Sequence, residues 1–577
     1  TNVFSRLDFD RHTGTVRANA DTVTTTLPYN FYNTSMNEFE WDMQKEKVTF
    51  RGREERLGLF RSLNPEQDGL QFEGRAADYN LTTNELTIDG VPRIFSADAY
   101  IYPSDGVVKI RPGGIMESLE NARIELDTAT QYHTILRANV EIQGAKQYKA
   151  TGFYEYPVGS RQQEIQFTNI QGQPMGKGKR SERAVHTRAK GSVAESDDFY
   201  MDEKLKFSGE ISLNGEEKAL QFDGFAQIQS DQLPNSHWFS ISCKADRHDL
   251  AIAYDAPKDP QGQALHTGIY LSKSNAQLYP AILSPLQFHR DRPIITTKGL
   301  LRYDVQKDLF EMGDSLKLAS GVKYGNKLSL NNQNGELIAE GQFEVGSGLD
   351  YIDLTVVGQA KLETQADAQV KFDWLAGIDL QIPEKLLKVI ATDLQASSFD
   401  AQVIDYRQGT EFYEKALSEL IPDAKSLHYA IANMKTQMLD LPDQYDTYSL
   451  FFSHLPMVWH SEYQSFISAR KKLGLGSIAG IPINRWLTSY VEFKMPSNED
   501  DRVYIYLKSP SDYYYYFSYR QGVLSTVSNN EKYNAAVEGL KKKEKSRKME
   551  DGELYEIQLV ETTRAQQLIA RMKAAVE

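Results

Sequence analysis

The segment Leu70–Pro112, LQFEGRAADYNLTTNELTIDGVPRIFSADAYIYPSDGVVKIRP, decides how the rest of the chain is interpreted. Apolar and polar residues alternate through it, and turn-forming pairs interrupt the alternation at Asp89-Gly90 and Asp105-Gly106. A period of two places one side of a strand against a core, and Asp-Gly pairs favour turns. The segment therefore predicts short antiparallel strands joined by tight turns.

The same kind of unit recurs along the first two thirds of the chain. Further copies occupy Tyr303–Phe310 and Leu328–Gly341, and Asn214-Gly215 marks another hairpin. Units that bury too little surface alone become stable by stacking. We therefore predict a mainly β fold of stacked antiparallel β-meander or jelly-roll-like repeats over residues 1–373.

The pattern changes after Trp374, where apolar residues recur at helical spacing. Helices are predicted at Glu384–Asp393, Glu411–Leu420, Asp423–Leu439, Ser461–Leu473, Asn530–Ser546 and Thr562–Val576. The predicted segments are a β-repeat region (1–170), a basic loop or linker (171–198), a second β-repeat region (199–373), a helical segment (374–480) and a small α+β domain (481–577).

Composition narrows the class of protein. Lys and Arg total 65 against 79 Asp and Glu, a net charge of -14, which argues against a nucleic-acid partner. The single Cys243 excludes an intramolecular disulfide, and scarce cysteine favours an envelope protein in an oxidising space. No apolar run is long enough for a transmembrane segment. Because Thr1 is not a methionine, we expect a processed chain or a fragment.

The residues that usually carry chemistry form no catalytic constellation in the sequence. His454 and His460, around Trp459, lack the spacing of metal ligands, and loop packing is favoured. The run Glu499-Asp500-Asp501 is expected in a solvated turn, and Cys243 as a buried structural thiol. We predict no catalytic residue, no metal site and no cofactor.

The run Tyr513–Tyr519, YYYYFSY, is the most unusual local feature. In a strand its residues are aromatic on both faces, with Tyr514 and Tyr516 sharing one of them. One face must be core. The face with Tyr514 and Tyr516 is either packed as well or is a binding surface for a sugar or a protein.

Residues 171–190, QGQPMGKGKRSERAVHTRAK, form a basic, Gly-containing stretch. A solvated loop between the two β regions is the simpler interpretation. The more specific hypothesis is a contact with anionic lipid headgroups or sugar phosphates. The residues that would make this contact are Lys177, Lys179, Arg180 and Arg183.

The residues Ala76–Gly90, AADYNLTTNELTIDG, together with Leu328–Gly341, resemble the repeats of the OstA-like family of lipopolysaccharide-transport proteins. Arg111–Tyr156 and Leu300–Asp304 are also similar to large envelope proteins of Bacteroidota. The resemblance implies a bent, jelly-roll-like β-stack whose apolar interior shields acyl chains across the periplasm. The predicted helical segment and terminal domain depart from that pattern.

Three functions follow as expectations. The first is a non-enzymatic extracytoplasmic scaffold, periplasmic or at the cell surface, in an outer-membrane-associated assembly of a Gram-negative, Bacteroidota-like envelope, with outer-membrane or surface proteins as partners. The second is an OstA-like carrier or bridge for lipid or lipopolysaccharide. The third is a glycan-binding or glycan-hydrolysing protein. The first two differ in whether Phe72, Leu86, Ile88 and Ile94 enclose a closed core or line an open trough.

Overall fold

A computed structural model describes most of the chain as two compact units. The described residues are 3–20, 23–51, 56–174, 185–246, 250–363, 369–396, 403–436 and 438–576. The first unit comprises Thr1–Gln227 with Ser240–Leu250, and the second comprises Ile228–Phe239 with Ala251–Glu577. The segment boundaries predicted from the sequence stay a prediction.

Successive hairpins at the start of the first unit alternate between two antiparallel sheets. In chain order their strands are β1 (Val3–Asp8), β2 (Thr13–Ala18), β3 (Thr25–Leu27), β4 (Tyr32–Thr34), β5 (Glu38–Asp42), β6 (Lys47–Arg51), β7 (Gly58–Ser62), β8 (Gln71–Gly74), β9 (Ala76–Asn80), β10 (Leu86–Asp89), β11 (Ile94–Ser96), β12 (Ala99–Tyr102), β13 (Val108–Arg111) and β14 (Ile115–Met116). The hairpins β1–β2, β5–β6, β9–β10 and β13–β14 build an eight-stranded sheet, and the others join a second sheet. The predicted mainly β fold of stacked antiparallel sheets is confirmed.

The second sheet continues as a meander. Its later strands are β15 (Leu119–Leu126), β16 (His133–Gly144), β17 (Gln147–Glu155), β18 (Glu164–Pro174), β19 (Val185–Val193), β20 (Tyr200–Asp202), β21 (Leu205–Asn214), β22 (Leu220–Ile228) and β23 (Trp238–Ala245). Strands β18 and β19 pair with each other, and both include residues of the predicted linker, with Arg188 opposite Gln171. The hairpin predicted at Asn214-Gly215 joins β21 to its neighbour β22.

The segment Leu70–Pro112 contributes to both sheets of the first unit. Gly90 and Gly106 have φ angles of 67° and 70°, so these two turns use the left-handed conformation that glycine adopts without strain. A Cβ atom added to Gly74 would lie 2.4 Å from Cγ2 of Ile88 in the other sheet. The two sheets therefore touch at this point, with no space between them.

The second unit is built on a sixteen-stranded sheet, with a separate three-stranded sheet formed by β25, β26 and β27. Its strands are β24 (Ile252–Ala253), β25 (His266–Leu271), β26 (Leu278–Ser284), β27 (Arg292–Thr296), β28 (Leu300–Asp304), β29 (Leu309–Gly313), β30 (Lys327–Asn331), β31 (Glu336–Phe343), β32 (Asp353–Glu363), β33 (Lys371–Asp379), β34 (Leu450–His460), β35 (Ser465–Ser468), β36 (Lys472–Ile478), β37 (Ile481–Lys494), β38 (Arg502–Lys508), β39 (Tyr514–Arg520), β40 (Val523–Ser528), β41 (Ser546–Lys548) and β42 (Leu554–Leu559). Strands β40 and β42 pair in parallel.

Most of the predicted helices are present in the second unit. The helices of this unit are α1 (Ser315–Ala319), α2 (Glu384–Ala396), α3 (Thr410–Leu420), α4 (Ala424–Lys435), α5 (Glu531–Glu538), α6 (Lys542–Lys545) and α7 (Thr563–Val576). Of these, α1 was not predicted from the sequence. The helix predicted at Ser461–Leu473 is wrong. That segment contains β35, whose four residues are all buried between β34 and β37. A strand buried on both faces loses the alternation that identifies strands in a sequence.

Helices α2 to α4 are an insertion that leaves the sheet continuous. Strand β33 before the insertion pairs with β34 after it, with Trp374 opposite Leu455. The apolar faces of α3 and α4 then cover part of the sheet, where Leu417 and Met434 are buried with Phe451 of β34. The sheet thus extends beyond Trp374, which the sequence pattern had suggested as its end.

A buried ion pair connects α1 to the end of α3. The ammonium of Lys317 donates a hydrogen bond to the Glu419 carboxylate, and the two side chains are 0% and 1% exposed. The backbone N–H of Gly325 donates a second bond to Glu419, at 2.9 Å. Removing one member of such a pair leaves an uncompensated charge in a medium of low polarity.

We predict that Lys317→Met destabilises the second unit by about 3–5 kcal/mol, because it leaves the Glu419 carboxylate buried without its cation. Urea unfolding followed by circular dichroism measures the change. The double variant Lys317→Met/Glu419→Leu should recover much of the loss, since it removes both charges.

The matched control is Lys307→Met, which removes an exposed ion pair with Asp304, where the Lys307 side chain is 71% exposed. This control should cost at most about 1 kcal/mol. Equal destabilisation by the two single substitutions would contradict the importance of the Lys317–Glu419 pair.

Candidate functional site

The candidate site lies on the terminal strands of the second unit, around the tyrosine run. Strand β39 lies between β38 and β40, so Tyr506 is opposite Tyr516 and Tyr504 is opposite Ser518. On the other side of β39, Ser518 is opposite Ser525 of β40. The register therefore gathers tyrosine and serine side chains on one face of the sheet.

The opposite face of β39 is core, as the sequence required of one face. Tyr515, Phe517 and Tyr519 are at most 1% exposed there. The hydroxyl of Tyr515 donates to Asp393 of α2 at 3.0 Å, and its ring packs edge-on against Tyr533 of α5. Because its side chains are buried and their hydroxyl groups are hydrogen-bonded, this face stabilises the fold.

Helix α7 covers much of the face that carries Tyr514 and Tyr516. Its residues Ala565, Leu568 and Met572 are buried against Tyr516, which is 3% exposed. Tyr514 is half-buried and its ring stacks on Tyr506, with centroids 5.5 Å apart. Little of either tyrosine is therefore left for a flat binding platform.

An open cleft of about 420 Å³ remains beside the first turn of α7. Its lining is polar and aromatic and consists of Tyr504, Tyr516, Ser518, Tyr519, Arg520, Gln521, Val523, Ser525, Gln558, Val560 and Arg564. Small-molecule sites usually occupy about 300–1,000 Å³, so the cleft is large enough for one small ligand. Tyr516, predicted as a possible binding residue, forms part of its wall.

The lining contains two arginines and no carboxylate. Arg520 is 3.6 Å from Glu499, which also binds Arg502. Arg564 is exposed, and its guanidinium makes no ion pair or hydrogen bond with any residue of the described ranges. Arg564 is therefore the cation in the cleft wall that remains available to a ligand.

Other polar groups around the cleft already have partners. Arg571 of α7 binds the fully buried Glu492, and its guanidinium lies 4.9 Å from the ring centroid of Tyr504. Gln558 donates to Glu556 at 3.2 Å, and Gln521 donates to Asp500. Arg571 is thus paired with Glu492, while Glu556 and Asp500 keep their negative charges outside the cleft lining.

Burial raises the pKa of Tyr516, while a hydrogen bond with Ser518 and the charges of Arg564 and Arg571 act in the opposite direction. Since burial is the largest cause, the phenol stays protonated at neutral pH. The hydroxyl can therefore both donate and accept a hydrogen bond to a ligand.

The remaining predicted contact residues cannot be placed. Lys177, Lys179, Arg180 and Arg183, predicted to contact anionic headgroups, lie outside the described residues. That contact stays a prediction.

Cys243 is half-buried in β23, whereas the sequence predicted a buried thiol. Burial, and secondarily the negative charge of Asp223, raise the pKa of the thiol to about 11. The thiolate is the reactive form, so this cysteine is a poor nucleophile at neutral pH.

The two histidines around Trp459 pack against aromatic rings. His454 lies edge-on to Trp486 with ring centroids 4.9 Å apart, and His460 stacks on Tyr463 at 4.4 Å. Burial lowers the pKa of His454. Within the described ranges, no group of three or more His, Cys, Asp or Glu side chains is arranged to hold a metal ion.

Asp501 differs from the expected solvated turn. It is 3% exposed and accepts two hydrogen bonds from Arg292 of β27, at 2.9 and 2.7 Å. The N–H of Gly348 donates a third bond at 3.1 Å. Asp501 therefore holds the loop before β38 against β27. This contact could not be predicted from the sequence, where Asp501 is part of an acidic run.

Comparison with protein-family models and with curated proteins finds no match to this chain. Among the helices in the described part of the chain, none is both long and apolar enough to span a membrane.

We predict that alkylation of Cys243 by iodoacetamide is slow in the native protein and accelerates about tenfold per pH unit up to a pKa near 11. Below pH 9 the native thiol should react about a hundredfold more slowly than in urea, where its pKa returns to about 8.5–9. Because the chain has one cysteine, mass spectrometry of the intact protein measures the rate directly. Equal rates in the native and unfolded protein would contradict the raised pKa.

Proposed function

We propose that the chain is a non-enzymatic scaffold subunit of an extracytoplasmic, outer-membrane-associated assembly. The observation that carries the proposal is the burial of four inward-facing side chains. Their exposure would differ between a scaffold with a closed core and a lipid conduit with an open groove. Phe72 is 4% exposed, and Leu86, Ile88 and Ile94 are each 0% exposed. They enclose a packed core, whereas a conduit needs apolar side chains that border an accessible groove.

The contact between the two sheets supports this choice. At Gly74, a single added Cβ atom would meet Ile88 at 2.4 Å and Phe60 at 3.3 Å. Since protein interiors are close-packed, no acyl chain can enter between the sheets at this level without separating them. The geometry at the OstA-like segment thus favours the scaffold over a carrier for lipid or lipopolysaccharide.

Edge strand β1 offers a surface on which a scaffold can hold a protein. It is at the end of the eight-stranded sheet. Val3, Phe4 and Leu7 on this strand, and Phe9 just after it, are 47%, 58%, 49% and 71% exposed. An exposed apolar edge is a template for pairing with a strand of another chain. We propose an outer-membrane or surface protein that contributes such a strand.

The proposed compartment follows from the composition and the family resemblance. A single cysteine in 577 residues suits an oxidising space, and Ala76–Gly90 resembles the repeats of a periplasmic transport family. The cysteine content and the resemblance both favour an envelope protein.

We predict that a photo-crosslinking phenylalanine derivative at Phe4 captures one protein in the native envelope, and that the same derivative at Phe72 captures neither lipid nor protein. The two positions carry the same residue type, one exposed and one buried. Capture is measured by gel shift and mass spectrometry, and folding of both variants by circular dichroism.

The protein captured at Phe4 must be the one that co-purifies with the tagged chain at low salt. Lipid attached at Phe72 would overturn the scaffold in favour of the conduit. Absence of any stoichiometric co-purifying protein would overturn it as well.

A further inference from the structure

We infer that the cleft beside α7 binds a sugar residue that carries one anionic group, a carboxylate or a phosphate. This site goes beyond the scaffold function, which depends on the first unit and on strand edges. Three features of the cleft carry the inference: its available cation, its mixture of aromatic and polar walls, and the position of the cation on the helix.

The available cation indicates an anion. Arg564 is free of partners within the described ranges, and no carboxylate lines the cleft. A guanidinium presents its N–H groups in a fixed fork that matches two oxygens of a carboxylate or phosphate.

The remaining walls indicate a sugar rather than a bare ion. The half-buried ring of Tyr504 provides aromatic surface in the cleft wall, which suits the C–H face of a pyranose ring. Ser518, Ser525 and Gln558 provide hydroxyl and amide groups that can donate and accept hydrogen bonds. An inorganic ion would use the arginine and leave most of the cleft empty.

The position of Arg564 on α7 adds an independent argument. It is in the first turn of a 14-residue helix, and that turn contains no acidic residue. The N-terminal end of a helix carries partial positive charge, so a cation there is unfavourable for the helix. An anion bound at Arg564 would relieve this repulsion and also interact with the end of the helix.

The test is calorimetric titration of the full chain with glucuronate and with glucose 6-phosphate, using glucose as the neutral counterpart. We expect at least one anionic sugar to bind about tenfold or more tightly than glucose. Comparison of the two anionic sugars distinguishes a carboxylate from a phosphate ligand. Inorganic phosphate and acetate, titrated separately, test whether the anionic group alone is sufficient.

Arg564→Gln should weaken binding of the anionic sugar about tenfold or more and leave binding of glucose unchanged. Arg564→Lys should recover part of the affinity, since it keeps the charge and loses the fork. The matched control is Lys573→Gln, which removes one positive charge from an exposed position of the same helix outside the cleft. It should bind as the wild-type chain does.

Several results would overturn the inference. They are equal affinity for glucose and both anionic sugars, an unchanged affinity in Arg564→Gln, or binding of inorganic phosphate as tight as that of glucose 6-phosphate. Failure of both anionic sugars to bind at about 10 mM would also overturn it. None of these results bears on the crosslinking at Phe4 and Phe72, so the scaffold proposal is tested separately.

Discussion

Hydrogen bonding between neighbouring antiparallel strands is the constraint on which the rest of the structure depends. Each interior strand needs a partner on both sides, because buried backbone groups without partners are costly. The second unit satisfies this requirement across an insertion. Strand β33 pairs with β34, although three helices separate the two strands in the sequence. Trp374 lies opposite Leu455 in this pair. The helices can therefore cover the sheet without interrupting it.

The same constraint explains which parts of the fold could be predicted from sequence. Turns between successive strands are local, so alternation and Asp-Gly pairs were sufficient to predict the strands of Leu70–Pro112 and the turns at Gly90 and Gly106. Both turns lead from one sheet to the other, from β10 to β11 and from β12 to β13, and the local pattern does not distinguish such a turn from a hairpin. Pairing between β33 and β34 is distant in sequence and has no local signal. The short strand β35 is buried on both faces, which removes the alternation and produced the wrong prediction of a helix at Ser461–Leu473.

In the candidate site, too, features set by neighbouring residues could be predicted, and contacts between distant parts of the sequence could not. The alternating faces of Tyr513–Tyr519 followed from the strand period, including one face as core. The sequence contained no signal that α7 would cover Tyr516 or that Arg564 would reach the same cleft. For Asp501, the local sequence predicted the wrong environment. Its acidic neighbours suggested a solvated turn, and only the fold brings Arg292 to it.

The parallel pairing of β40 with β42 has a consequence for when the cleft exists. A parallel pair needs a crossover, here through α5, α6 and β41, before β42 and α7 can return to the sheet. One wall of the cleft comes from β38 to β40 and the other from β42 and α7. During synthesis from the N-terminal end, the cleft is therefore completed after the rest of the sheet. A ligand that binds there would stabilise the docking of β42 and α7 onto the earlier strands.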